Sequence, residues 1–170
     1  IVTWLQVASQ TVTPLVETIK TAMQEADVLH CDETGFYVQG KRQWLHVAAT
    51  PLLTYYYPHA QRGNNGILGM GILSAFSGTA VHDGWAPYAA YRCRHALCNA
   101  HHLRELTYIF EEFQQDWAQA MIRLLLDSKA EVEQARQQGL TALPPSRRQA
   151  IDHAYQAIIA QALAANPQPP

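Results

Sequence analysis

Two aspartates close short apolar runs in this chain. Asp32 follows Val28-Leu29-His30-Cys31 and precedes Glu33-Thr34-Gly35; Asp83 follows Thr79-Ala80-Val81-His82 and precedes Gly84-Trp85. Aspartate is disfavoured inside strands and costly to bury, so an aspartate at the end of an apolar run either caps a turn or is aimed at a ligand. Taken alone, each residue is accounted for by the first alternative. Taken together, two carboxylates at the ends of neighbouring strands offer the oxygen donors that Mg²⁺ or Mn²⁺ prefers. Metals held in that way promote in-line displacement at phosphorus.

The second dense stretch runs Cys93-Arg94-His95-Ala96-Leu97-Cys98-Asn99-Ala100-His101-His102-Leu103-Arg104-Glu105. His101 and Glu105 are four apart and share a face of the helix they begin, which suits a metal-ligand or proton-transfer pair and equally an ordinary stabilising pair. Arg104 suits a phosphate contact or a solvated helix face. Cys98-x-x-His101 is a single ligand pair, whereas structural zinc needs four ligands, so a zinc site is not the preferred reading. His30 and His82 sit beside the aspartates, while His46, His59 and His153 read as packing or surface residues. Gly66, Gly69 and Gly71 match neither the dinucleotide fingerprint nor the P-loop, and no Gly-Lys-Ser/Thr follows them. Lys41, Arg42, Arg62, Arg92, Arg94 and Arg104 flank the acidic segments as a basic rim or as scattered surface charge.

Composition bounds these chemistries. The 170 residues are 48% hydrophobic, enough for one domain with a core and an appendage. A net charge of −2 and a pI near 6.5 give no global support for nucleic-acid binding, so any such contact is local. Three cysteines, Cys31, Cys93 and Cys98, make no disulfide framework; a reducing cytoplasm is the expected compartment. No apolar run is long enough for a membrane span, and no signal peptide is evident. The chain opens at Ile1 without a Met and ends on Asn166-Pro167-Gln168-Pro169-Pro170, and both ends read as cuts in a longer protein.

The elements that must carry the two aspartates follow from periodicity. Val12, Leu15, Val16, Ile19 and Met23 mark one helical face within residues 1–27, with Pro14 in a first turn after Thr13. Residues 28–59 read as three strands. A turn is expected at Gly35 and a hairpin link at Gln39-Gly40-Lys41, and Tyr55-Tyr56-Tyr57 is a strand-packing run. A loop, a short helix over 67–73 and another loop lead to a fourth strand at 79–83. A short helix over 85–91 and a fifth strand at 94–98 complete this part. From residue 100 the apolar spacing predicts one helix as far as Gly139 and, after Leu143-Pro144-Pro145, a second, forming an antiparallel pair. Three antiparallel strands followed by parallel ones match an α/β, ribonuclease-H-like mixed sheet, in which the first and fourth strands are neighbours. Asp32 and Asp83 are then expected side by side.

Asp32-Glu33-Thr34-Gly35, Gly40-Lys41, Trp44-Leu45-His46-Val47-Ala48, Arg62-Gly63, Val81-His82-Asp83-Gly84-Trp85-Ala86-Pro87-Tyr88 and His95 to Leu106 (HALCNAHHLREL) together resemble the core of IS66-family transposases. The resemblance implies a DDE transposase that cuts and joins DNA, with Asp32 and Asp83 as catalytic metal ligands for Mg²⁺ or Mn²⁺. It further implies DNA as the partner and a homo-oligomer in the full-length protein; contact of His101 and Arg104 with the flanking phosphate is a separate expectation. The expected organisation is an N-terminal helical segment over 1–27, the first part of the catalytic core over 28–100 and a truncated helical insertion over 101–170. Such families carry their catalytic glutamate after the insertion, in a stretch resembling Asn-Asn-x-x-Glu-Arg. None occurs here, so the third carboxylate is expected beyond residue 170, with Glu105 as the runner-up, and the fragment is expected to be inactive alone. A non-catalytic DNA-binding or assembly domain and a ribonuclease-H-like nuclease or resolvase are the competing readings.

Overall fold

The computed structural model describes residues 2–167; residues 168–170 of the Pro-rich end lie outside them. The chain divides into two compact units, Ile1–Cys98 and Asn99–Pro170.

The first unit is a five-stranded mixed sheet of order β3-β2-β1-β4-β5, the ribonuclease-H-like arrangement expected from the order of elements. It is built from β1 (Val28–Val38), β2 (Lys41–Ala49), β3 (Thr54–His59), β4 (Thr79–His82) and β5 (Arg94–Leu97). β1 to β3 pair antiparallel, and β4 runs parallel to both β1 and β5. The hairpin between β1 and β2 is closed by Gln39 and Gly40, both at positive φ (50° and 74°). That is the two-residue turn whose twist matches the flanking strands.

Gly35 does not form the expected turn. β1 runs through it, and Gly35 pairs with Trp44 on β2. A Cβ at Gly35 would meet the Arg42 guanidinium at 3.0 Å, so this glycine admits a close side chain within a continuous strand.

One face of the sheet is covered. Leu29, Cys31, Ala48 and Ala80 are buried there with Met23 from α1 (Val2–Gln24) and Ile67 and Met70 from α2 (Asn64–Met70). Ile72, Leu73 and Phe76 of the following loop complete this core, with Tyr55 and Tyr57 packed against it. Tyr56, between them, is exposed, as alternation along a strand requires. Pro14 lies inside α1 rather than in a first turn. Its missing N–H falls on an exposed part of the helix, where water can serve the orphaned carbonyl.

The second unit holds three helices, α3 (Asn99–Phe113), α4 (Asp116–Gln137) and α5 (Pro145–Ala165), where two were expected. The unforeseen break lies at Gln114, which adopts φ 50° with neither Gly nor Pro to announce it. The Gln114 side-chain amide donates to the carbonyls of Phe110 and Glu111, capping α3 with its own side chain. α4 ends where expected. Gly139, at φ 76°, donates to Arg136 O and Leu140 donates to Ala135 O, the paired bonds of a Schellman cap. Arg147 of α5 pairs with Glu131 of α4. No helix among the described residues is long and apolar enough to cross a membrane.

Candidate active site

Alternation along β1 gives its residues two different fates. Leu29, Cys31 and Glu33 turn toward the core, while His30 and Asp32 turn to the exposed face. On β4, Ala80 and His82 are buried, while Val81 and then Asp83 turn the other way and are half-buried. The parallel register pairs Val28 with Thr79, Leu29 with Ala80 and His30 with Val81. The paired residues end there: Asp32 lies two residues beyond His30 on β1, and Asp83 two residues beyond Val81, just past the end of β4.

Each aspartate is held by a backbone N–H. Asp32 Oδ1 accepts from Glu33 N at 2.8 Å. Asp83 Oδ1 accepts from Trp85 N at 2.8 Å, closing a short side-chain turn where the chain leaves β4. Gly84, at φ 87°, supplies the left-handed residue that this exit needs. These bonds orient one oxygen of each carboxylate. Two hard oxygen donors suit a divalent cation of the Mg²⁺ type. Among the described residues, no group of three or more His, Cys, Asp or Glu side chains is arranged to hold a metal.

The neighbouring acid, Glu33, has the opposite environment. Its side chain is 1% exposed and both of its oxygens are engaged. Arg62 donates Nε and Nη2 to Oε1 at 2.9 and 2.7 Å, and the Tyr88 hydroxyl donates to Oε2 at 2.6 Å. The Arg62 guanidinium lies 4.0 Å from the Trp85 ring centroid and 5.1 Å from that of Trp44, and Arg42 covers Trp44 at 4.4 Å. Arg62 is therefore not a free cation of the expected basic rim: the buried carboxylate and the two indoles commit it. Burial, reinforced by the bond to Glu33, pushes the Tyr88 hydroxyl far above its usual range, so it stays a donor. Burial likewise pushes the Cys31 thiol up to about 12, with the nearby Cys93, Glu33 and Asp32 adding to it, which leaves an inert core thiol.

A second polar set abuts the first. His82 is buried and stacks on Tyr88 with centroids 4.5 Å apart. Its Nδ1 accepts from Gly84 N at 3.0 Å, and its Nε2 meets His95 Nδ1 at 2.9 Å. His95 Nε2 reaches Tyr91 O at 3.0 Å. Burial and then His95 lower the His82 pKa, partly offset by Asp83 and Glu33.

Sequence reasoning did not find Glu33, Arg62 and Tyr88 as a unit. The side-chain alternation of β1 signals that Glu33 must face away from Asp32. Nothing in the sequence pairs it with residues 29 and 55 positions away. His101 and Arg104 belong to α3 in the second unit. His101 is half-buried with Nδ1 unpartnered among the described residues, and Arg104 is exposed, as is Glu105.

Comparison with curated proteins and with solved structures returned no match. A family model described as "Transposase IS66 family" matches residues 1–169. With its mixed sheet and trailing helices, the chain thus belongs to the IS66 family of DDE transposases.

Proposed function

We propose that this chain supplies the first two carboxylates of a transposase active site, Asp32 and Asp83, which together hold a divalent cation, Mg²⁺ or Mn²⁺. The observation that supports this reading is the parallel register of β1 and β4 as far as His30 and Val81, each two residues before one of the acids. A cation bound there would supply Lewis-acid activation of a water or a DNA 3′-hydroxyl and stabilise the leaving oxygen. The protein's own part is positional. Backbone N–H groups fix one oxygen of each carboxylate. DNA, as element ends and target, is the substrate, handled by a homo-oligomer of the full-length protein. On the second unit, exposed Arg104, with His101 three residues before it on α3, offers a contact to a DNA phosphate. The third carboxylate of the set is a glutamate outside these residues, with Glu105 as the alternative.

The test is Mn²⁺-dependent cleavage of a terminal-repeat duplex by the full-length protein. Asp32→Asn and Asp83→Asn are each expected to lower cleavage by about 10²–10³-fold. Glu105→Gln is expected to leave cleavage intact. No cleavage with both acids in place would favour a non-catalytic DNA-binding or assembly role, and cleavage of branched DNA without strand joining would favour a resolvase-like nuclease.

A further inference from the structure

We propose that Glu33 is a positioning residue for the aspartate pair. From the opposite face of the sheet, it ties the strand that carries Asp32 to the turn that carries Asp83. The proposal rests on the reading of Asp32 and Asp83 as cation-holding groups and adds what keeps them in place.

Two routes lead from the Glu33 carboxylate to Asp83. Through Oε2 it holds the Tyr88 hydroxyl; Tyr88 N donates to Trp85 O at 3.1 Å, and Trp85 N donates to Asp83 Oδ1. Through Oε1 it holds Arg62, whose guanidinium covers the Trp85 ring at 4.0 Å. Both routes converge on Trp85, the residue whose N–H fixes Asp83. At the other end, Glu33 is the covalent neighbour of Asp32, and its own N–H fixes Asp32 Oδ1. One carboxylate is therefore linked to the backbone at both acids.

The energetics agree with a specifying role. Burying a charged pair is weak evidence for stability, because apolar replacements of similar volume are often as stable. What a fully bonded carboxylate adds is a fixed geometry for the three segments it joins, here β1, the residues before α2 and the 3-10 helix Ala86–Ala90. Partners that orient metal-holding groups from outside typically change metal affinity by about 10–100-fold when removed.

The decisive experiment measures Mn²⁺ binding to the full-length transposase by the electron paramagnetic resonance of the free ion, with the melting temperature recorded alongside. Tyr88→Phe removes one bond and leaves the Glu33–Arg62 pair, so it is expected to fold and to bind Mn²⁺ about tenfold more weakly. Glu33→Gln is expected to weaken binding further. In both variants, cleavage should recover at high Mn²⁺, which a lost ligand such as Asp32→Asn would not allow. Wild-type Mn²⁺ affinity in folded Tyr88→Phe and Glu33→Gln, with Asp32→Asn defective, would overturn the positioning role alone. Wild-type affinity in Asp32→Asn and Asp83→Asn would overturn the underlying reading instead.

Discussion

His82 and His95 share a 2.9 Å hydrogen bond between Nε2 of the first ring and Nδ1 of the second, and their remaining partners fix both tautomers. His82 Nδ1 accepts the Gly84 N–H, so its proton sits on Nε2 and points at His95. His95 accepts through Nδ1 and gives its own Nε2 proton to the Tyr91 carbonyl. Protonating His82 would put a second N–H against the Gly84 amide, and burial already disfavours the charge.

A pH dependence follows. The unfolded chain binds a proton at His82 near the ordinary value of 6.5, while the folded chain binds it only at lower pH. Between those two values the unfolded state carries more protons, so stability rises with pH. The contribution is complete above the unfolded value, is lost as pH falls toward the folded one, and then levels off. Urea midpoints across about pH 5 to 8 should decline on the acid side, and His82→Asn should flatten that slope. An unchanged slope in the variant would remove His82 as its source.

Arg62→Lys tests how much the shape of a cation matters. Lysine keeps the charge but loses the two-pronged donation to Glu33 and the flat contact with Trp85 and Trp44. We expect a loss of about 1–3 kcal/mol by denaturant unfolding. Equality with wild type would mean that charge alone suffices.

Gly66→Ala should be among the most damaging small changes. Gly66 is buried in α2, and a Cβ there would collide with the His46 ring and the Gln61 carbonyl. His46 is itself buried with Nε2 at 3.2 Å from Gln61 O, so neither neighbour is free to retreat. Overpacking of this kind costs about 1–3 kcal/mol, and a drop in thermal midpoint measures it.

Gln39→Asn should act in the other direction. Gln39 holds φ 50° in the two-residue turn before Gly40, a conformation that asparagine tolerates better than glutamine. A gain of about 0.5 kcal/mol in unfolding free energy is expected. A loss would show that the Gln39 side chain has an unrecognised role.

Much of this fold was legible in the chain because its signals are local. The apolar run Val28–Cys31, the Gln39-Gly40 hairpin and the Gly139 stop each act over a few residues, and the order of strands followed from them. The Gln114 break was not legible, since a glutamine in the left-handed region caps α3 with its own side chain where no breaker residue stands. Gly35 misled for the reverse reason: its role is to admit Arg42, a partner that only the folded hairpin brings near. Of the candidate site, residue type and position single out the two aspartates as candidates. The Glu33–Arg62–Tyr88 unit is not singled out in this way, because its members are joined only in three dimensions.

Asp32 and Glu33 are adjacent residues with opposite orientations, and that makes the alignment of β1 unforgiving. Sliding the strand by one position in one direction would bring the Asp32 carboxylate to the apolar place of Cys31 and leave Arg62 and Tyr88 without their acceptor. The tight connection at Gln39-Gly40 leaves no slack for such a slide. Length changes in that connection would therefore reach the Glu33–Arg62–Tyr88 unit, although none of its members lies in the turn.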